Sequence, residues 1–379
     1  MISAAPRLAL QAERELEALV GVSTPSGDVA GAEEAVALCV AFLPPEAQVE
    51  RLDCSTTAHA PDLIGRLDGQ GTMRVLLLGH LDTVVTHAAH RSLERDEDRL
   101  TGSGAVDMKG GVALALGVMR ELAGRPGLYA ELALLLVNDE EWRTARFGHA
   151  DRFAGFDACL CFEAGERTAR GEEAVIVKRK AAGTLRVDAL GRPAHSGSAP
   201  HKGRSALLAL AAAAQRVAAH HDPQGADRLT AVPTILRSGE AFNVVPPTGE
   251  LVCDVRADRL AAFTPVIESV PEEIDEVKLE TTLVRAWPGM DTREAAAPLL
   301  ERATAALGRP VVASERGGAS DASHMAQTIA LTVDGLGPRG GGAHTPQEWV
   351  SAKSLHTRAE VALAVAAALL EVPPARSRR

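Results

Sequence analysis

With 379 residues, 46% of them hydrophobic, 24% charged and a net charge of −10, the chain can fill a large core spread over two or three domains. The acidic balance excludes nucleic acid and anionic membranes as partners, since phosphate neutralisation needs clustered Lys and Arg; the best basic cluster, KRK at 178–180, reads as a solvated strand edge. Five cysteines without CxxC spacing point to a reducing compartment, and no apolar run is long enough to span a bilayer, so the chain reads as cytoplasmic.

The opening MISAAPRLALQAERELEALV lacks the basic and apolar regions of a signal peptide and reads as an amphipathic helix on Leu8, Ala12, Leu16 and Leu19. A second helical pattern covers 28–43 after the PSG turn. The strands DLIGRL and RVLLLG follow, then the loop GSGAVDMKGG and a helix through VALALGVMREL that GRPG stops. ELALLLVN and DACLCF are further strands, and Cys159 and Cys161 in the latter read as small core hydrophobes. Continuous aliphatic runs, without polar alternation, indicate a mostly parallel sheet covered on both faces by helices. From 178 to 289 the texture changes: strand AGTLRVDAL, an Ala-rich helix, strands TAVPTILRSG and GELVCDVRA, a helical stretch over 258–271, and strand EVKLETTLVR. That β-α-β-β-α-β order is the split unit of two-layer α+β domains. After WPGMDT come helix 294–307, strand PVVAS, a short helix near DASHMAQ, strand IALTV and helix 352–370. The expected organisation is an α/β domain in two parts, 1–177 and 290–379, interrupted by an inserted domain at 178–289.

Acidic and imidazole side chains recur just after the predicted strands. RVLLLG delivers His80 and Asp82, ELALLLVN delivers Asp139, Glu140 and Glu141, DACLCF delivers Glu163, and the segment after IALTV delivers His344; Asp107 lies in a Gly-flanked loop at a helix start. In open α/β sheets, sites form at the carboxyl ends of strands, so these groups can converge. Clustered carboxylates repel one another unless cations sit among them, and a pair of divalent metals sharing a bridging carboxylate relieves this while activating a water. Imidazole and carboxylate donors suit zinc, with cobalt or manganese as alternatives. Asp107 is the natural bridge. On an extended strand His80 and Asp82 point to the same side, which makes Asp82 the acceptor that orients the His80 imidazole.

The set GHLDTV, GSGAVDMKGG, NDEE, FEAGE, GRPAHSG, FNVVP, CDVR, GGASDAS and GGAHTPQEW resembles the dinuclear zinc amidohydrolases, which include acetylornithine deacetylase, succinyl-diaminopimelate desuccinylase, aminoacylase and the bacterial glutamate carboxypeptidases. The resemblance runs in order through nearly the whole chain. It implies a zinc-exopeptidase-like catalytic domain carrying a ferredoxin-like lid or dimerisation domain. It further implies two divalent ions per chain, one held by His80, Asp107 and Glu163 and the other by Asp107, Glu141 and His344, with Glu140 as general base. A cis peptide is expected after Asp107. His195 would reach a neighbouring subunit's site in a homodimer and stabilise the oxyanion, while Asn243, Arg256 and the loop around Gly318 would contact substrate, often its carboxylate. The implied reaction is amide hydrolysis in a small N-acyl amino acid or dipeptide-like substrate.

Some features depart from that pattern. WRTARFG follows NDEE where a small Gly/Ser-rich stretch is more usual, and Trp142 would narrow the site. The segment VRAWPGM lacks the expected basic residue of glutamate-selective carboxypeptidases unless Arg285 replaces it, and Trp287 and Pro288 speak against glutamate selectivity. KRKAAG also stands where RKG is commoner. Two other enzyme classes fit poorly. A dinucleotide site would need Gly at position 107, where Asp107 would repel pyrophosphate. Ser196, Ser198 and Ser320 lack the GxSxG elbow of a serine hydrolase. A non-catalytic metal-binding relative is the remaining alternative, and the presence of Glu140 with all five implied ligands argues against it.

Overall fold

The computed structural model describes residues 1–371, and the chain divides into two compact units. The first contains Met1–Lys178, Asp291–Glu315 and the chain from Ser320 on; the second contains Arg179–Met290 and the short excursion Arg316–Ala319.

The first unit is built on a sheet of six strands in the order Gln48–Leu52, Asp62–Asp68, Glu131–Val137, Arg74–His80, Ala158–Cys161, Thr332–Val333. The last four of these run parallel, and the first two join antiparallel at one edge. Leu132 to Val137 and Val75 to Leu78 are buried on both sides, which is why these strands read as unbroken aliphatic runs. Helix Gly110–Ala123 packs on the two central strands and against helices Ala5–Gly21 and Ala352–Leu370. Its start comes unusually close to the Ala158–Cys161 strand end: a Cβ on Gly111 would lie 1.8 Å from the Phe162 carbonyl oxygen, so only glycine fits there. Leu8, Ala12, Leu16 and Leu19 form the buried stripe of the first helix, and Asp28 caps the second, Val29–Phe42, by accepting the Gly31 N–H.

A small sheet missed in the sequence pattern stitches distant segments together. Arg99–Thr101 pairs with Trp349–Ser351, which pairs with Gly340–Gly341. The hairpin loop between the last two carries His344, at φ +65°. Its strands are two and three residues long and Gly-rich, too short to leave a period-two signal. IALTV likewise supplies only Thr332–Val333 as strand.

The second unit is an antiparallel sheet in the order Thr230–Ser238, Thr248–Ala257, Ala181–Leu190, Val277–Trp287, with Glu273–Ile274 at the far edge. One face is covered by helices Ala206–Ala218 and Thr264–Glu268 over a separate core that includes Leu185, Val187, Leu210, Leu251, Val255 and Phe263. The strand order 2-3-1-4 by sequence is that of the split β-α-β unit.

The reading of KRK at 178–180 as a solvated edge is corrected. Lys178 and Arg179 are buried at the end of the strand Glu173–Arg179, which is buried throughout. Arg179 donates to the Gly318 carbonyl and Lys180 to the Arg228 carbonyl. Local charge cannot reveal carbonyl acceptors that arrive from elsewhere in the chain. Among the described residues no helix is long and apolar enough to cross a membrane.

Candidate metal centre

His80 is the last residue of the strand Arg74–His80 and is buried. Its Nδ1 lies 3.0 Å from the Asp82 carbonyl oxygen, which can only accept, so the ring proton sits on Nδ1 and Nε2 is left for other partners. Nε2 lies 3.2 Å from Asp107 Oδ1 and 3.6 Å from Glu163 Oε1. The other oxygen of Asp107, Oδ2, is 3.1 Å from His344 Nε2, which is also 3.2 Å from Glu141 Oε2. Two triads result, His80–Asp107–Glu163 and Asp107–Glu141–His344, each with its donor atoms within 4.8 Å of one another. Asp107 belongs to both, giving one oxygen to each. It stands in the turn Ala105–Lys109 ahead of its helix, and the Asp107–Met108 peptide is cis.

The donor set fits divalent cations. His344 Nε2 faces two carboxylate oxygens at hydrogen-bond distance, but a ring nitrogen has only one proton to give. Glu141 Oε1 is buried with no hydrogen-bond partner. The charges answer in the same sense: hydrogen bonds donated to Asp107 and Glu141 push His344 up to about 10, and the two imidazoles in turn hold Asp107 below the usual carboxylate range despite its burial. Burial disfavours a charged His80, yet its bonds to Asp107 and Asp82 outweigh that and raise it. Each imidazolium proton thus supplies positive charge where a divalent ion would supply more. Two imidazoles and three carboxylates form a donor set suited to zinc, cobalt or manganese.

Asp82 does a second job besides the one the strand geometry suggested. The strand stops at His80, yet Asp82 still faces the imidazole: its backbone carbonyl lies 3.0 Å from His80 Nδ1 and its carboxylate Oδ1 3.4 Å from the same nitrogen. The carboxylate also accepts the Glu140 N–H at 3.0 Å and the Glu141 N–H at 3.1 Å, one on each oxygen. Asp82 therefore fixes His80 and the acidic pair at once. Glu140 is buried, and that burial pushes its carboxyl well above the usual range.

A model of peptidase family M20/M25/M40 matches residues 76–368. The chain belongs to this family. Among its relatives, carboxypeptidase G2 of Pseudomonas sp. (strain RS-16) is 27% identical over 371 residues, covering 91% of this chain and 86% of that protein. A succinyl-diaminopimelate desuccinylase of Halorhodospira halophila (strain DSM 244 / SL1) is 30% identical over 319 residues, covering 76% of this chain and 81% of that protein. The crystal structure of aminopeptidase PepT from Bacillus cereus ATCC 10987 shares the fold, with a TM-score of 0.76 at 20% identity over 94% of this chain and 97% of that one. This M20 chain is a metallo-amidohydrolase, and the His, Asp and Glu groups above could hold a metal ion.

The other residues singled out in the M20 sequence lie in the second unit. His195 is exposed, and its Nδ1 accepts the Gly197 N–H at 3.1 Å and the Ser198 N–H at 3.2 Å. The neutral ring therefore carries its proton on Nε2, which is free to donate outward. Asn243 is brought beside it: its carbonyl accepts the Ser196 N–H at 3.0 Å, and His195 bridges to Val244. Arg256 is bonded to Asp254 at 2.9 Å and reaches the Gly317 carbonyl at 3.2 Å, next to Gly318, whose own carbonyl takes Arg179 at 2.8 Å. Arg285 stacks 4.3 Å over the buried ring of Trp287.

Three residues that matter to the centre escaped the sequence reading. Glu348, buried, accepts the N–H groups of Gly104 (3.0 Å), Val106 (2.8 Å) and Asp107 (2.9 Å), which moulds the turn presenting Asp107. Burial pushes Glu348 up to about 7 against the pull of those amides. Its position in GGAHTPQEW, four residues after His344, was the available signal. Arg358, fully buried, donates to the carbonyls of Gly337 and Ala174 and to Glu173, fixing the segment that leads to the His344 hairpin. Lys109 is the third.

Lys109 is fully buried, its Nζ donating to the Val22 carbonyl at 2.7 Å, and burial lowers its amine to about 8. The unfolded chain then holds the extra proton between pH 8 and the free-lysine value, so this residue's contribution to stability rises with pH across that window. Urea denaturation of the metal-free protein and of Lys109→Met, from pH 7 to 10.5, is expected to shift the stability difference toward the native residue by about 3 kcal/mol. A pH-independent difference would contradict it.

Proposed function

We propose that this enzyme hydrolyses the amide bond of a small N-acyl amino acid or dipeptide-like substrate bearing a free carboxylate. It would hold two divalent ions per chain, zinc in the first instance and cobalt or manganese as alternatives: one by His80, Asp107 and Glu163, the other by Asp107, Glu141 and His344. The observation that carries this reading is Asp107, whose two oxygens face two different imidazoles at 3.2 and 3.1 Å. Bound there, the ions would polarise the amide carbonyl and lower the pKa of the attacking water.

Glu140 is the general base. Its raised carboxyl suits a group that takes a proton from the water and delivers it to the departing nitrogen. Asp82 keeps the backbone of Glu140 and Glu141 in place while they act. His195, with its proton on Nε2, is equipped to donate to an oxyanion, and we assign it to the site of a second copy of the chain. Asn243 supports it from the adjoining segment. Arg256, tied to Asp254, and the loop at Gly318 are assigned to the substrate carboxylate, with Arg256 acting in part by holding that loop.

The second unit is assigned as lid and homodimerisation domain. Its edge strand Thr230–Ser238 leaves Val232, Ile235 and Leu236 exposed, helix Ala206–Ala218 exposes Leu207 and Leu208, and Phe242 is fully exposed. An unpaired apolar strand edge is a template for pairing with an identical one. The five cysteines are all free, in keeping with a cytoplasmic setting. A carboxypeptidase of the glutamate-carboxypeptidase type is the second reading, favoured by the 91% coverage shared with carboxypeptidase G2.

Glu140→Gln is expected to lose about 10²- to 10⁴-fold in kcat, on a panel of N-acetyl, N-succinyl and dipeptide substrates, while keeping two ions by elemental analysis. Undiminished turnover would remove Glu140 from its role, and an inactive parent enzyme holding metal would point to a non-catalytic relative. Sedimentation velocity should show a dimer that Leu208→Glu with Ile235→Lys converts to monomer; a monomeric parent protein would refute the dimer.

A further inference from the structure

The chain turns sharply after the acidic pair. Trp142 goes out to solvent, 55% exposed, and Arg143 goes in, fully buried. Its guanidinium lies between two carboxylates: Nε donates to Asp139 Oδ1 at 2.9 Å, and the two terminal nitrogens fork onto Asp321, with Nη2 at 3.0 Å from Oδ2. The ring of Phe147 stacks beneath at 4.6 Å and itself stacks on His324. The second oxygen of Asp139 accepts both the amide and the hydroxyl of Thr56, at 2.8 and 2.7 Å. One residue earlier, Asp62 accepts the Asn138 N–H at 2.8 Å and is itself paired with His149 at 2.7 Å.

These bonds, with those of Asp82, hold the backbone amides of Asn138, Glu140 and Glu141 and the side chains of Asp139 and Arg143. A buried charge triad is weak evidence for stability, because desolvation cancels most of the attraction, but it imposes geometry. Only a planar fork can engage Asp139 through one edge and Asp321 through the other. Asp321 opens the short helix Asp321–Met325, so one guanidinium ties that helix to the turn bearing the acidic pair.

We propose that Arg143 is a positioning residue whose clamp between Asp139 and Asp321 holds the Glu140–Glu141 turn in register with the metal centre. This rests on the catalytic reading of that turn given above. Loss of the fork frees the turn to shift; Glu141 then ligates its ion less well and Glu140 meets the water less often, while substrate binding is untouched.

The test compares the full-length parent with Arg143→Lys, Arg143→Met and the triple variant Asp139→Asn, Arg143→Met, Asp321→Asn. The triple variant removes all three buried charges together and keeps the proposal testable should the lone Met substitution fail to fold. In metal-free protein, amide hydrogen exchange over 138–145 should quicken at least tenfold in the folded Met-bearing variant, and less in Arg143→Lys. Calorimetric titration with Co²⁺ should show one of two sites weakened at least tenfold and the other unchanged. With substrate, kcat should fall at least tenfold at a KM within twofold of the parent, and Arg143→Lys should recover part of it. A folded Met-bearing variant that exchanges these amides and binds both ions like the parent overturns the proposal. A parent that binds two ions and hydrolyses nothing overturns the catalytic reading instead, and the exchange and titration results still decide the clamp.

Discussion

Asp107 is the constraint on which the rest of the structure depends. Its carboxylate is grouped with those of Glu141 and Glu163, beside the buried Glu140, and so much negative charge is tolerable only if positive charge is held among it. In the protein alone two imidazoles provide that charge, each drawn toward a different oxygen of Asp107. Two divalent ions would provide it better and would turn an electrostatic liability into a hydrolytic device. The elements of the first unit are intelligible as a means of keeping these six side chains together.

Two kinds of support do this. The sheet brings strand ends side by side: the parallel strands ending at His80, Val137 and Cys161 deliver His80, the acidic pair and Glu163 to one edge, where open α/β sheets place their sites. Buried polar side chains then set the turns that follow. Glu348 gathers three amides around Asp107, Asp82 gathers two at Glu140 and Glu141, and Arg358 collects the carbonyls leading to His344. Each such group forms several charge-assisted bonds, and deleting one leaves a buried partner unsatisfied.

The fold was largely legible because its signals are local. Unbroken aliphatic runs mark the covered strands, Leu8, Ala12, Leu16 and Leu19 mark the first helix, and strand–helix order marks the split unit of the second. Strand-end His and acidic residues could be picked out for the same reason. What stayed hidden depends on partners far along the chain: Glu348 meets Gly104 across 244 residues, Arg143 meets Asp321 across 178, and Arg179 meets Gly318 across 139. A lone buried cation or acid looks like a surface charge until its acceptors are placed.

The most direct test of the central claim is anomalous diffraction at the zinc edge from crystals of the zinc-loaded enzyme. The account predicts two peaks flanking the Asp107 carboxylate, one bounded by His80 and Glu163 and the other by Glu141 and His344. A single peak, or peaks elsewhere with none beside Asp107, would contradict it.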